Sequence, residues 1–256
     1  MRIHTSLPAE LVRAKLEALG PWFYRFEFND GVHTESFADQ NALGIHESRV
    51  ACIFPFLDRY FEGRWHGVSC LDVACHEGWF TFQIAQRGAR LARGIDIRPD
   101  RIERANFIKE AGSFANTGFD VRDLFTLNPA QDGVYDLTLF LGIFYHLEDP
   151  VRGFRTVRAL TRDVCVIEGQ VARFNETIST AWGNKQDIRS GPACAVIDAD
   201  THHASNPAGI CLVPSLDALR KMILAAGFQR LEFVHPTSSL HEQFVNLDRV
   251  IGFAFV

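Results

Sequence analysis

The chain has 256 residues, 47% of them hydrophobic, and a formal net charge of −5 at pH 7. This length fits one α/β domain with a sizeable core. The acidic balance argues against a nucleic-acid partner, because such proteins gain affinity by neutralising phosphates. No apolar run approaches the roughly 18 residues of a membrane span, and the six cysteines lack metal-ligand spacing. We therefore expect a reduced, cytoplasmic protein with no membrane partner and no bound metal.

The N-terminal 64 residues are predicted to cap the domain that follows, which spans 65–256. Apolar residues recur at helical spacing until Gly20 stops them. An alternating segment then leads into Asn29-Asp30-Gly31, a turn sequence that tolerates positive φ. The elements expected here are a helix over 8–19, a hairpin from Trp22 through that turn, a polar loop over 37–44 and a helix over 49–61.

The rest of the chain alternates strand-like and helix-like segments, as an α/β protein does. Continuous apolar runs fit parallel strands that are buried on both faces. Strands are expected at 68–73, 91–97, 118–121, 134–140, 164–168, 228–234 and 249–256. Helices are expected after Gly78 and over 99–111, 151–160 and 214–226.

Between 171 and 213 this alternation breaks down into turn signals without periodicity. So long a stretch inside a compact domain is usually a lid or a substrate pocket, so we interpret it as a substrate-site insertion. Its run Asp198-Ala199-Asp200-Thr201-His202-His203 has side chains that suit a divalent metal. A solvated loop is the favoured interpretation of that run.

The turn after the first core strand indicates the kind of ligand. It reads Asp72-Val73-Ala74-Cys75-His76-Glu77-Gly78, and the next strand ends in Asp96. A strand, turn, helix and strand with a terminal acid is how a doubly wound sheet holds an adenosine, because the acid accepts hydrogen bonds from the ribose hydroxyls. A pyrophosphate needs crowded backbone N–H groups at a bare helix N-terminus. His76 and Glu77 would obstruct it, so the turn suits an adenosine ligand without phosphate.

These residues resemble those of the class I S-adenosylmethionine-dependent methyltransferases. The first motif of that family, acid-x-Gly-x-Gly-x-Gly, stands here as Asp72-x-Ala74-x-His76-x-Gly78. Asp96 matches the ribose-binding acid, and Asp123 matches the acid that meets the adenine amino group. Residues 135–150 match the fourth-strand motif. Within the family, Pro21 to Tyr24, the first turn and the run Leu141 to Leu147 resemble the tRNA wobble-uridine carboxymethyltransferases and their small-molecule relatives.

The resemblance implies a Rossmann-like fold and S-adenosylmethionine as cofactor. The fold would be a doubly wound, seven-stranded, mostly parallel sheet with an N-terminal helix and hairpin and an insertion after strand 5. The cofactor would be held by Asp72, Ala74, Cys75, His76, Gly78, Asp96, Ile97, Asp123, Leu124 and Leu141.

Acceptor-side residues are expected at the carboxyl edge of the sheet, where ligands of open α/β sheets bind. His146 follows the fourth strand and titrates in the range of a base at pH 7, although a hydrogen bond to backbone is the commoner role for such a residue. Glu168 ends the fifth strand and is a second candidate for a base or for stabilising charge. Tyr145 is expected to orient the acceptor, with Trp79 and Phe37 lining its pocket.

The leading interpretation is methyl transfer to a small, apolar or aromatic metabolite by a monomer or homodimer. The first alternative is methyl or carboxymethyl transfer to a tRNA wobble uridine, although no lysine lies between Lys15 and Lys109 to hold a carboxylated cofactor. The second is a nicotinamide-dependent dehydrogenase, which the glycine-poor turn disfavours. The third is a non-catalytic cofactor-binding subunit.

Overall fold

The computed structural model describes residues 1–173, 177–179, 185–187, 194–198 and 210–256. Its helices are α1 Ala9–Leu19, α2 Gln40–Tyr60, α3 Trp79–Gln86, α4 Pro99–Ala111, α5 Pro129–Asp132, α6 Pro150–Leu160, α7 Leu216–Ala225 and α8 Glu242–Val245. Its strands are β1 Ser69–Val73, β2 Leu91–Asp96, β3 Thr117–Val121, β4 Tyr135–Leu141, β5 Thr161–Gln170, β6 Thr177–Ser179, β7 Lys185–Asp187, β8 Cys194–Asp198, β9 Ile210–Pro214, β10 Arg230–Phe233 and β11 Arg249–Phe255.

Seven of these strands form one sheet in the order β10-β11-β5-β4-β1-β2-β3. The five strands from β1 to β5 run parallel to one another, and β11 runs antiparallel to both β5 and β10. The predicted fold class, a doubly wound and mostly parallel seven-stranded sheet, is therefore confirmed. The largest shift in a strand boundary within the first five strands is at β5, which begins at Thr161 rather than at residue 164.

Helices cover both faces of the sheet and enclose two apolar clusters. One cluster joins β1 and β4 to the N-terminal segment and to α2, α3 and α4, with Phe26 and Phe82 fully buried in it. The other joins the opposite face to α6 and α7 around Phe140 and Phe154. Complete burial of each such side chain stabilises the fold by about 2–3 kcal/mol. Because the N-terminal segment shares the first cluster, it is packed directly onto the helices that follow β1 and β2.

One prediction for the N-terminal segment is wrong. The segment 37–44 is not all loop, because α2 begins at Gln40, where the Asp39 carboxylate accepts the N–H of Ala42 and caps the helix. The predicted hairpin reverses direction at a tight turn with positive φ at Asp30, and its flanks meet at isolated bridges, Glu27 with His33 and Trp22 with Ser36. Its backbone is held by the Phe28 N–H, which donates to the Val32 carbonyl at 2.7 Å.

The insertion contributes two short antiparallel pairs, β6 with β7 and β8 with β9. Pro214 ends β9 instead of starting a helix, and the Ser215 hydroxyl caps α7 through the N–H of Ala218. Most of the candidate metal-binding run, residues 199–203, lies outside the described residues, as does the side chain of Asp198. Among the residues that are described, no helix is both long and apolar enough to cross a membrane.

Candidate active site

The predicted cofactor residues converge at one edge of the sheet. β1, β2, β3 and β4 are parallel, so their carboxyl ends lie side by side and present the first turn, Asp96, Asp123 and Leu141 along that edge. Because β1 is central in the strand order and β4 lies next to it on one side and β2 on the other, the turn after β1 sits in the middle of the row.

That turn has left-handed backbone at each position where the family motif has glycine. The φ angles are 57° at Ala74, 56° at His76 and 76° at Gly78, a region that costs side-chain-bearing residues about 1–2 kcal/mol. The conformation is anchored by the Cys75 N–H, which donates to the Ile95 carbonyl at 2.9 Å. The chain thus adopts backbone that favours glycine at all three positions, although two of the three glycines are absent.

Asp96 is buried and already holds several hydrogen bonds from the chain itself. Its Oδ2 accepts the backbone N–H of His76 at 3.0 Å, and its carboxylate pairs with both Nε and Nη2 of Arg98. Burial would raise the pKa of Asp96, but Arg98 outweighs it and holds that pKa below its ordinary value. The carboxylate is therefore ionised at neutral pH, as an acceptor of two ribose hydroxyls must be.

The adenine-side residues surround a surface that is open to solvent. Ile97 is 60% exposed at the end of β2, which places an apolar side chain beside the Asp96 carboxylate. Asp123 is exposed, and its Oδ1 accepts the Phe125 N–H at 2.8 Å. Leu124 is buried beneath it, whereas Leu141 at the end of β4 is half-buried. An apolar platform beside two carboxylates suits a base with an attached ribose.

Asp72 lies behind the turn rather than on its open side. It is 3% exposed, and its Oδ2 accepts the Thr81 hydroxyl at 2.6 Å. Burial raises the pKa of Asp72 to about 7, although the hydrogen bonds from Thr81 oppose the shift. This carboxyl therefore fastens the end of β1 to the first turn of α3, and the turn between them is held in place.

Glu77 points away from the cofactor edge and fastens the N-terminal segment. Its carboxylate accepts the backbone N–H groups of Phe23, at 2.8 and 3.1 Å, and of Tyr24, at 2.9 Å. Arg101 contributes an ion pair at 3.4 Å. Because Glu77 belongs to the first turn, this contact draws the aromatic residues of the N-terminal segment over the sheet edge.

His76 faces those aromatic residues. Its ring centroid lies 5.2 Å from that of Phe23 and 5.7 Å from that of Tyr24. Burial, followed by the charges of Arg98 and Arg101, lowers the pKa of His76 to about 2, so the imidazole is neutral at physiological pH. His76 Nδ1 is buried and has no hydrogen-bond partner among the described residues, which leaves it available to a polar ligand.

A buried ion cluster lies beyond the ends of β4 and β5. Glu168, with no exposed surface, accepts Arg249 Nε at 2.8 Å and lies 2.5 Å from Arg49 Nη2. Arg249 Nη2 also donates to the Tyr145 hydroxyl at 3.1 Å. Burial would raise the pKa of Glu168, but Arg249 and Arg49 together hold it below its ordinary value. Glu168 is therefore an ionised anchor for two arginines.

His146 and Tyr145 occupy a short helical turn that follows β4. Their ring centroids are 4.3 Å apart, and His146 Nδ1 lies 3.6 Å from Cys211 Sγ on β9. The structure thus brings the three predicted catalytic residues to the same end of the sheet, with Tyr145 linked to Glu168 through Arg249.

Aromatic rings line the space between α2 and the first turn. The His46 centroid lies 4.3 Å from that of Trp79 and 5.0 Å from that of Tyr24. Phe37, the other predicted pocket residue, is 54% exposed, and its ring centroid lies 5.7 Å from that of Phe23. Trp79 is thus packed among these rings, whereas Phe37 is largely exposed beside Phe23.

Four charged or polar residues at the site were not predicted from the sequence: His46, Arg49, Arg98 and Arg249. Arg98 could have been noticed because it follows Asp96 by two residues, within reach of a carboxylate. His46 and Arg49 are three residues apart on α2 and share a face, but His46 lies outside the predicted helix over 49–61, so this spacing was not recognised. Nothing in the sequence alone pairs Arg249 with Glu168.

The residues present fit an adenosyl group without phosphate. The ionised Asp96 and the exposed Ile97 and Asp123 supply acceptors and an apolar platform, and the left-handed turn brings backbone close to the same edge. A bulkier residue at Gly94 would collide with Cys75 Sγ, since a Cβ there would lie 2.7 Å from it. This close packing under the turn keeps the edge in the shape that such a ligand needs.

Comparisons with known proteins agree with this geometry. Residues 66–190 match a family model described as a methyltransferase domain. No curated protein matched the sequence. Among solved structures, the N-terminal domain of EvdMO1, determined with S-adenosylhomocysteine (SAH) and D-fucose, has a TM-score of 0.71 and 18% identity, covering 97% of this chain and 96% of that one.

Two further solved structures share the fold. Magnesium protoporphyrin IX methyltransferase (ChlM) from Synechocystis PCC 6803, with bound S-adenosylmethionine (SAM), has a TM-score of 0.57 and 18% identity, covering 98% of each chain. An S-adenosylmethionine-dependent methyltransferase from Mesorhizobium loti has a TM-score of 0.55 and 21% identity, covering 79% of this chain and 97% of that one. At these identities the likeness shows the fold. With the match over 66–190, it confirms the predicted enzyme class, an S-adenosylmethionine-dependent methyltransferase.

Proposed function

We propose that the enzyme transfers a methyl group from S-adenosylmethionine to a small, apolar or aromatic acceptor held between the N-terminal segment and the ends of β4 and β5. The observation that carries this proposal is the clamp from Glu77 to the Phe23 and Tyr24 backbone. It fixes aromatic residues of the N-terminal segment over the first turn, so the space beside the cofactor is enclosed and suits a small molecule.

The cofactor is assigned to the edge formed by β1, β2 and β3. Asp96 would accept the ribose hydroxyls, Ile97 would pack on the adenine face, and Asp123 would meet the adenine amino group. The backbone from Ala74 to Gly78 and the residue Leu141 would border the methionine part. The bound cofactor supplies an electrophilic methyl group, and the chain supplies position, a dry enclosure and charge complementarity.

Three residues on the acceptor side have distinct proposed roles. Glu168 orders Arg49 and Arg249 and stays ionised, because both arginines lower its pKa. Tyr145 receives a hydrogen bond from Arg249 and presents its ring at the end of β4. His146 remains the candidate base for an acceptor that is protonated at neutral pH, as a hydroxyl is.

The neighbouring structures support a small-molecule acceptor. ChlM is named for a porphyrin substrate, and the EvdMO1 domain was determined with D-fucose. We propose neither molecule as the acceptor of this protein. Each is a small molecule rather than a nucleic acid, and this supports a small-molecule acceptor. We also propose that the protein is cytoplasmic, that it is a monomer or a homodimer, and that it needs no nucleic acid.

Methyl or carboxymethyl transfer to a tRNA wobble uridine is the second candidate, because the motif run Leu141 to Leu147 resembles that branch. Carboxymethyl transfer would need basic residues to hold a carboxylated cofactor, and no lysine lies between Lys15 and Lys109. The net charge of −5 also disfavours tRNA. A nicotinamide dehydrogenase would need the pyrophosphate-binding glycines that this turn lacks. A non-catalytic subunit would bind the cofactor and turn nothing over.

Transfer of label from methyl-tritiated S-adenosylmethionine distinguishes these candidates. The protein is incubated in parallel with a library of small aromatic and aliphatic metabolites and with bulk tRNA, and label is counted in each fraction. Label in a small molecule, abolished by Asp96→Ala, is the expected result. Label in tRNA would favour methyl transfer to tRNA, and a parallel incubation with the carboxylated cofactor tests carboxymethyl transfer. Cofactor binding without any product in either incubation would favour the non-catalytic subunit.

A further inference from the structure

We propose that Arg49, with His46 one turn before it on α2, binds a carboxylate of the methyl acceptor. This assignment rests on the methyltransferase function proposed above and narrows its acceptor to an organic acid with an apolar or aromatic body. The two residues are three positions apart in a helix, so their side chains lie on the same face.

The buried ion cluster of Arg49, Arg249 and Glu168 contains two positive charges and one negative charge. Arg49 and Arg249 converge on the single carboxylate of Glu168. The side chains of Arg49, Arg249 and Glu168 are 13%, 5% and 0% exposed. Among the described residues, no second carboxylate pairs with either arginine, and a buried charge without a partner is costly. The cluster is therefore complementary to one additional anion.

Among the described residues, three buried polar atoms in or beside this cluster lack hydrogen-bond partners: Glu168 Oε2, which lies 2.5 Å from Arg49 Nη2 in their ion pair, and two nitrogen atoms of the proposed site. Within the described part of the chain, neither Arg49 Nε nor His46 Nδ1 makes a hydrogen bond. An unpaired buried polar group destabilises the folded protein, and each such group calls for an explanation such as a ligand. Burial, followed by the charge of Arg49, lowers the pKa of His46 to about 3. His46 is therefore neutral and offers a dipole beside the arginine without adding a second charge that must be balanced.

Arg49 lies on the acceptor side of the edge. Its Nη2 is 2.9 Å from the position that a Cβ on Gly142 would occupy, directly after β4, and it pairs with Glu168 near the end of β5. The adenosyl residues lie on β1, β2 and β3, on the other side of the first turn. Because neighbouring strands are about 4.8 Å apart, β5 is about 10 Å from β1. The anion is therefore assigned to the acceptor rather than to the cofactor.

The surroundings of the two side chains define the rest of the acceptor. The His46 ring contacts Trp79 and Tyr24, and both of these aromatic residues are buried. Apolar walls next to a guanidinium favour a molecule with one anionic end and an apolar remainder. Arginine binds carboxylates in a planar, two-pronged arrangement, so a carboxylic acid fits better than a neutral amide or ester of the same shape.

Calorimetric titration of benzoate and benzamide tests this site, because the probes differ in charge and hardly in size. Both are titrated into the free protein and into its complex with S-adenosylhomocysteine. Benzoate should bind at least about tenfold more tightly than benzamide, since hydrogen bonds to charged groups contribute about 1.5–3 kcal/mol. Arg49→Gln should abolish the difference and Arg49→Lys should retain part of it. Arg59→Gln, at an exposed position on the same helix, should leave it unchanged.

Equal affinity for the two probes in the wild-type protein, or no binding of either, would overturn the assignment without any variant being needed. A preference for benzoate that survives in Arg49→Gln would also overturn it. Loss of S-adenosylhomocysteine affinity in Arg49→Gln without any loss of benzoate preference would assign the arginine to the cofactor. Failure of the wild-type protein to bind S-adenosylhomocysteine would contradict the proposed function but not the carboxylate site. The titration of the probes into the free protein tests the carboxylate site without the cofactor, so the two failures can be distinguished.

Discussion

Arg98 holds the Asp96 carboxylate in the structure by its side chain and its backbone. Its Nε donates to Oδ1 at 2.9 Å, its Nη2 donates to Oδ2 at 3.0 Å, and its backbone N–H donates to Oδ1 at 3.0 Å. Since the His76 N–H also donates to Oδ2, the chain's own groups fill the sites that ribose hydroxyls would use. The proposed contact between Asp96 and the ribose therefore requires the Arg98 side chain to leave this carboxylate.

Removing that competitor should strengthen cofactor binding. In Arg98→Gln, the affinity for S-adenosylhomocysteine should rise several-fold, because the ribose no longer displaces a charge-assisted pair worth roughly 1–3 kcal/mol. Calorimetry and stopped-flow association measure the affinity and the on-rate. Arg90→Gln removes the same charge from an exposed position and should change neither. Weaker binding in Arg98→Gln would mean that the guanidinium contacts the bound cofactor instead.

Glycine at position 74 should stabilise the protein. Ala74 has φ 57°, and left-handed backbone disfavours any residue with a Cβ. Ala74→Gly should therefore raise the free energy of unfolding by up to about 1 kcal/mol, measured by urea denaturation. Ala85→Gly, in the interior of α3, should lower it by about 1 kcal/mol or more. A destabilising Ala74→Gly would show that the Ala74 methyl group contributes packing that outweighs the strain.

Loss of the Glu77 carboxylate should release the N-terminal segment. Glu77 accepts the N–H groups of Phe23 and Tyr24, and an amide at this position has only one oxygen for them. Glu77→Gln should cost about 2–4 kcal/mol, since it leaves buried donors unpaired. Hydrogen exchange should quicken at Phe23 and Tyr24. Glu103→Gln, on the exposed face of α4, should leave hydrogen exchange at Phe23 and Tyr24 unchanged. Equal protection of Phe23 and Tyr24 in both variants would contradict the proposed role of Glu77.

Asp72 should make stability fall as pH rises from about 4 to 7. Burial raises its pKa to about 7 in the folded protein, against about 3.9 in the unfolded chain. Across that window the unfolded state releases a proton that the folded state keeps, so unfolding becomes more favourable by up to about 4 kcal/mol, and above pH 7 the effect is constant. Asp72→Asn, which can still accept the Thr81 hydroxyl, lacks this titration. Urea unfolding from pH 4.5 to 8 should show the two proteins diverging in stability, and parallel curves would contradict the raised pKa.

Much of the fold could be predicted because local signals specify it. Apolar runs bounded by turns located all seven strands of the main sheet, and the parallel order of β1 to β5 follows from helices between them. The start of α2 was missed because its first residues are polar and its signal, the Asp39 cap, is a single side chain. The flanks of the Asn29-Asp30-Gly31 turn meet only at single bridges, Glu27 with His33 and Trp22 with Ser36, and Glu27 also bridges Arg2.

The site was predictable only where chain order determines position. Asp96 ends β2 and Asp123 follows β3. Their positions could be predicted because ligands of open α/β sheets bind at the carboxyl ends of the strands. The partners of Glu168 come from α2 and from β11, and only the folded sheet brings them together. Glu77 sits in the first turn beside residues that face the cofactor edge, yet its carboxylate turns to the N-terminal segment, because two backbone N–H groups there donate to it.

The central claim is that the β1 to β3 edge holds an adenosyl group through Asp96. Calorimetric titration of S-adenosylhomocysteine into the wild-type protein and into Asp96→Ala tests it most directly, with Asp217→Ala as an exposed control. We expect heat consistent with one site in the wild-type protein and in the control. We expect Asp96→Ala to lower the affinity at least about tenfold, because charge-assisted hydrogen bonds are lost. No heat with the wild-type protein, or equal affinity in Asp96→Ala, would contradict it.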